Sequence, residues 1–113
     1  MTADHQSRLQ LTVDADTVSV VGEIDARTSL DLIEVVDKLL ADGATTLDLA
    51  GVTFMDSSGL RVLVDAQRTS LQSGNRFVVN RPSSRVRKIL QISGLLDAIE
   101  ITEHPARAVE APA

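Results

Sequence analysis

Apolar positions recur along the chain with two different periods. "LQLTV" (Leu9 to Val13) alternates and "TVSVV" (Thr17 to Val21) is dense in β-branched residues, while Asp14 to Asp16 supply turn chemistry between them, so the pair predicts an antiparallel hairpin. The period then lengthens. In "GEIDARTSLDLIEVVDKLLADG", Leu32 or Ile33, Val36, Leu39 and Leu40 return at helical spacing, Thr28 with Asp31 three residues on resembles an acidic variant of a capping box, and Gly43 ends the helix. "TTLDL" (Thr45 to Leu49) predicts a short strand, and residues 50 to 56 a loop leaving its carboxyl end, with Ser57 or Ser58 at the cap of the next helix. That helix, "GLRVLVDAQRTSLQSG", carries Leu60, Leu63, Val64, Gln67 and Leu71 on one stripe and stops at Gly74. "RFVVN" (Arg76 to Asn80) predicts a strand. Pro82, Ser83 and Ser84 open a helix in "RVRKILQISG", where Val86, Ile89 and Leu90 face one way and Gly94 ends it; "AIEI" (Ala98 to Ile101) predicts the last strand. Strands with intervening helices imply an α/β domain whose mixed, mostly parallel central sheet is flanked by helices.

Composition narrows the function. A chain of 113 residues with 43% hydrophobic content suits one domain with one core, and neither a repeat nor a linker divides it. Phe54 and Phe77 are the only aromatic residues, which argues against a base-stacking platform for single-stranded nucleic acid. A formal charge of -5 disfavours direct binding to nucleic acid or to an anionic membrane and points toward protein partners. With no cysteine, disulfides, thiolate metal sites and cysteine nucleophiles are all excluded. "MTADHQSR" lacks the basic-then-apolar form of a leader and no apolar run approaches membrane-spanning length, so a cytoplasmic protein is expected. The Ala- and Pro-rich end "TEHPARAVEAPA" reads as frayed, which gives a flexible start at 1–7, a domain at 8–102 and a flexible tail at 103–113.

The chemistry concentrates in "TFMDSSGL" (residues 53 to 60), where Phe54 and Met55 read as an apolar anchor for an acid-serine-serine turn. A serine nucleophile needs a base, and the histidines, His5 and His104, lie in the terminal segments. The stretch is neither a nucleophile elbow nor a Walker loop, and Asp25, Asp48 and Asp56 have no histidine or cysteine beside them to favour a metal. No enzyme activity, cofactor or metal is expected. A helix-cap serine can still be modified: a phosphate on Ser57 adds nearly two negative charges where helix amides tolerate them, so the fold survives while the surface that a partner meets becomes strongly acidic.

"GEIDARTS" after a hairpin, "FMDSSGL" between strand and helix and "SGLLDAIEI" near the end together resemble the STAS domain of bacterial anti-sigma factor antagonists. The resemblance implies a partner switch. In it the unphosphorylated antagonist binds an anti-sigma factor that is also a histidine-kinase-like serine kinase and so frees the sigma factor; phosphorylation ends the binding and a PP2C-type phosphatase reverses it. By position it makes Ser57 the phosphorylated residue, Asp56 its flanking acid and Asp25 the acid of the family's Gly-Glu-Leu-Asp segment, with Ser58 assisting or substituting. The implied partner-binding set is Asp25, Asp56, Ser57, Ser58, Gly59 and Arg61. Arg61 departs from the family, which continues with glycine, and puts a cation in the helix's first turn, against the macrodipole. It either pairs with Asp65 at i+4 or neutralises Asp56 or a phosphate on Ser57. "RPSSRVRK" gathers Arg81, Arg85, Arg87 and Lys88, a solvated face or a contact for an acidic partner. Two other functions compete: a STAS scaffold or lipid-transport subunit outside kinase control, and an enzyme or small-ligand receptor using Asp25, Asp56 and Ser57. A monomer is expected, since no long apolar stripe is left over once the core is filled.

Overall fold

The chain first turns back on itself at Ala15, whose φ of 56° is left-handed, and this folds β1 (Leu9–Asp14) onto β2 (Thr17–Ile24) as an antiparallel hairpin. The computed structural model describes residues 8–105, so the expected flexible start at 1–7, and the expected tail at 103–113 from residue 106 onward, lie outside the described residues. From β2 the chain runs through α1 (Thr28–Asp42), β3 (Thr45–Met55), α2 (Ser57–Ser73), β4 (Phe77–Asn80), α3 (Ser84–Ile92) and β5 (Glu100–Thr102), the element order that the sequence predicts. The sheet order is β1-β2-β3-β4-β5, antiparallel at the hairpin and parallel thereafter, so each helical crossover advances one strand in the same direction.

Helices α1 and α2 pack on each other and on strands β2, β3 and β4, and the core lies between. Leu32, Val36 and Leu40 of α1 are fully buried at i, i+4 and i+8, against Val18, Val20, Leu47, Leu49 and Val79 of the sheet cluster. Each such side chain contributes about 1.5–3 kcal/mol by leaving water. Polar residues line the opposite sheet face: Thr12, Ser19, Asp48, Asn80 and Thr102 are register partners in one row across all five strands. Within that row Asn80 donates to Asp48 Oδ2 (3.3 Å) and to the His104 carbonyl (3.1 Å), and accepts from Thr102 Oγ1 (2.7 Å) and the His104 amide (2.9 Å). Burial of Asp48 and Asn80 is tolerated because both are hydrogen-bonded, and Asn80 ties Thr102 and His104, β5 and the residues after it, to β4.

Several expectations are corrected. Residues 50 to 55 are strand, since β2 runs on to Ile24 and pairs Gly22 with Val52, Glu23 with Phe54 and Ile24 with Met55. Register shifts between Ser19 and Val21 and between Gly22 and Glu23 break the alternation, which hid this second half of β3. Because β4 pairs only with Thr45–Asp48, the upper half of β3 has no strand on that side among the described residues; α3 packs there and the Ser83 amide donates to the Leu49 carbonyl. The buried stripe of α2 is Gly59, Val62, Leu63, Ala66 and Ser70, about one residue out of phase with the expected one, and Leu71 is 75% exposed. Leu60 and Val64 are only half-buried, while Gln67 reaches the Ala98 carbonyl (3.1 Å). Ser83 caps α3 as expected, its hydroxyl accepting from the Val86 amide (3.3 Å), while Ser84 is already helical; the final strand begins at Glu100 rather than Ala98.

Candidate functional site

β2 and β3 end side by side. Ile24 and Met55 are register partners, and the Asp56 amide donates to the Ile24 carbonyl (3.2 Å), carrying the ladder one bond further. Asp25 and Asp56 are therefore the first residues beyond two neighbouring strand ends, whose backbones lie about 4.8 Å apart. Each acid then opens a helix.

Asp25 and Thr28 form a reciprocal pair. The Asp25 carboxylate accepts from the Thr28 amide (2.9 Å), and Thr28 Oγ1 accepts from the Asp25 amide (2.9 Å). The pair has the reciprocal geometry of a capping box, stands just ahead of α1 and lies three residues upstream of the expected Thr28–Asp31 pair, while Arg27, which directly precedes the helix, makes no side-chain cap. The Arg27 amide (3.0 Å) and Arg8 Nη2 (3.0 Å) also reach Asp25, and Arg8 bridges on to Glu23 (2.7 Å). The Thr28 amide holds the Asp25 carboxyl below its ordinary range; partial burial opposes this, and the Thr28 hydroxyl, the Arg27 amide and Arg8 assist. Gly22 makes room for this approach, because with its φ of 118° a Cβ there would stand 2.1 Å from the Arg8 carbonyl oxygen.

Asp56, rather than either serine, caps α2: its extended backbone turns the carboxylate onto the Ser58 amide (2.8 Å). Ser57 becomes the first helical residue, exposed, with no hydrogen bond from its hydroxyl among the described residues. Ser58 is half-buried. Gly59 faces inward, where a Cβ would stand 2.6 Å from Met55 Cγ and 2.9 Å from Ile24 Cγ2, so glycine lets the first turn of α2 rest directly on the ends of β2 and β3. Met55 is the buried anchor of the turn, while Phe54 points outward at 41% exposure, a correction to the expected apolar pair. Arg61 is the fifth residue of α2, one turn in rather than within the first, and its Nε lies 4.0 Å from Asp65 Oδ2.

The other candidates lie elsewhere. His104 lines a depression on the open sheet face with Asp48, Asn80 and Arg81, away from the groove that holds Ser57, Ser58 and Arg61. Asp48 is tied to Arg81 (3.0 Å) on that face, so it does not join Asp25 and Asp56. Of the basic cluster, Arg81 is bound to Asp48 and Arg87 to Glu103, which leaves Arg85 and Lys88 as its exposed charges. Among the described residues no helix is long and apolar enough to cross a membrane. Sequence reasoning missed Arg8, which the hairpin register brings beside Glu23 and Asp25, and it paired Thr28 with Asp31 rather than with Asp25.

Comparison with known proteins agrees with this geometry. The family model described as "Mlab, STAS domain" matches residues 7–102. The anti-sigma-B factor antagonist of Listeria monocytogenes is 36% identical over 86 residues, 74% of this chain and 75% of that protein. The anti-sigma factor antagonist SpoIIAA in its unphosphorylated form superposes with a TM-score of 0.63 at 28% identity, covering 92% of each chain. The phosphorylated form of the Bacillus cell fate determinant SpoIIAA superposes with a TM-score of 0.62 at 25% identity, covering 93% of this chain and 99% of that one. With the motif acids at paired strand ends and the two serines following Asp56 at the head of α2, the chain belongs to the STAS-domain family of anti-sigma factor antagonists.

Proposed function

We propose that this protein is a partner-switching antagonist: unphosphorylated, it binds an anti-sigma factor that is also a serine kinase and so releases the sigma factor, and phosphorylation of Ser57 ends the binding. The observation that carries the reading is the division of labour at the head of α2. Asp56 satisfies the helix amide, which leaves the Ser57 hydroxyl exposed and unbonded. A kinase can therefore transfer the γ-phosphoryl group of ATP to Ser57 Oγ, with ADP leaving and the hydroxyl proton passing to a base of the kinase, without dismantling the fold. The docking face comprises Asp25, Asp56, Ser57, Ser58 and Arg61, with Gly59 beneath holding the helix in place. A dianion next to Asp56, with Asp25 at the neighbouring strand end, turns that face strongly negative and repels a partner shaped for a hydroxyl. A PP2C-type phosphatase would restore the binding state, and the setting is the cytoplasm, with the protein acting as a monomer, as a regulator rather than an enzyme, and without direct nucleic-acid or membrane contact.

The test is incubation with ATP and the histidine-kinase-like anti-sigma factors of the same genome, followed by intact mass and peptide mapping. One phosphate on Ser57, constitutive partner binding by Ser57→Ala and weak binding by Ser57→Asp are the expected results. Equal binding by the two variants defeats the reading. The matching family model is that of the STAS domain, and the second reading keeps that domain but makes it a scaffold or a subunit of a lipid-transport complex outside kinase control. Stable co-purification with such a complex and no labelling by active kinases would select it.

A further inference from the structure

Along the exposed side of α2, Ser57, Arg61, Asp65 and Arg68 follow one another at i, i+4, i+8 and i+11 and line a single shallow groove. Two guanidinium groups there share one carboxylate: Arg61 Nε is 4.0 Å from Asp65 Oδ2, and Arg68 Nη1 is 3.9 Å from Asp65 Oδ1. Both contacts are at the outer limit of an ion pair, and Arg61 is 82% exposed. Direction matters as well as distance. On a helix an acid four residues before a cation is favoured over the reverse order, because it agrees with the helix dipole. Asp65 stands in the favoured sense only toward Arg68; toward Arg61 it is on the wrong side. The position four residues before Arg61 is Ser57, neutral until it is modified.

We infer that Arg61 is an internal clamp for a phosphate on Ser57: on phosphorylation it leaves Asp65 to Arg68 and pairs with the phosphate, completing an alternating acid-base ladder along α2. The inference rests on Ser57 being the modified residue, as proposed above. Residues at i and i+4 stand about 5–6 Å apart at Cβ, well within an arginine's reach, and a guanidinium matches phosphate through two parallel hydrogen bonds. The clamp draws the phosphate down along the helix and cancels one of its charges. Phosphorylation adds the same charge here as in a relative with glycine at this position, but it leaves the modified face less negative by the one charge that Arg61 carries.

Genetically encoded phosphoserine at position 57 of the full chain tests this without a kinase. The readout is the second ionisation of the phosphate, followed by 31P NMR against pH. A cation beside the dianion favours it, so Arg61 lowers that pKa and Arg61→Gln raises it by about 0.3 pH unit or more. Arg61→Lys restores most of the difference. Arg68→Gln removes the same charge two turns further on and is expected to shift the pKa by less than half as much. An unchanged phosphate pKa in Arg61→Gln, or equal shifts from Arg61→Gln and Arg68→Gln, overturns the clamp, since only long-range charge would then be acting. Failure of every kinase to label Ser57 is a separate result, which rejects the partner switch and is visible independently of the titration.

Discussion

The division of labour between Asp56 and Ser57 gives a prediction in which stability and binding separate. Asp56→Ala removes the carboxylate that accepts from the Ser58 amide at 2.8 Å and leaves the first turn of α2 without a side-chain cap. Loss of a cap costs about 1 kcal/mol, and loss of the negative charge at the helix N-terminus costs about 0.3–1 kcal/mol more. The sum, about 1–2 kcal/mol, corresponds in a domain of this size to a fall in Tm of about 4–8 °C. Asp56→Asn keeps an oxygen acceptor and gives up only the charge, so it loses less than half of that. Ser57→Ala removes a hydroxyl that bonds nothing and stays within about 0.5 kcal/mol of the parent, while Ser57→Asp adds a charge that the dipole welcomes and gains a few tenths of a kcal/mol. Urea unfolding at pH 7, with the four variants measured beside the parent and each checked for partner binding in parallel, gives the comparison. Ser57→Asp should be the most stable of the set and among the weakest binders. If Ser57→Ala loses as much stability as Asp56→Ala, the serine is a cap after all and the reasoning fails.

Gly59→Val should destabilise by about 1–3 kcal/mol or more, because added carbons meet Met55 Cγ and Ile24 Cγ2 in a packed core; urea unfolding with an unchanged m-value but a lower midpoint checks it. Asn80→Ala removes the acceptor of the Thr102 hydroxyl and the His104 amide and a donor to buried Asp48, a loss of about 2–4 kcal/mol, with faster hydrogen exchange in β5 as its local signature. Asp25 gives a pH dependence. Its folded-state pKa is depressed, so its contribution is fully present above the unfolded value of about 3.9 and is lost as pH falls through the folded value; the Tm gap between the parent and Asp25→Asn should be open at pH 7 and close on acidification below about pH 4. A gap that does not change with pH would locate the role of Asp25 in shape rather than charge.

Local pattern was enough to read the order of strands and helices and to point out the motif acids and serine, and it found most of the inner stripe of α1, where Leu32, Val36 and Leu40 are buried and Leu39 only half-buried, because each depends on spacing along the chain and on side-chain chemistry. The same pattern misplaced the inner face of α2. Gly59, Ala66 and Ser70 are small residues with little apolar signal, and they are buried because the helix lies close on the sheet; Leu71 looks like core but falls on the far side. The second half of β3 was hidden for a related reason, since its strand character comes from pairing with β2 across two register shifts rather than from alternation within "AGVTFM". What the sequence by itself determined is thus the chemistry of the turn at Asp56 to Gly59 and the family to which it belongs. Only the tertiary structure decided which face of α2 is buried, that Asp25 and Asp56 stand at neighbouring strand ends, and that Arg8 reaches Asp25 across the hairpin. Those relations depend on strand register and helix phase, which are fixed when the whole sheet is assembled and the helices settle on it, and no short window of sequence contains them.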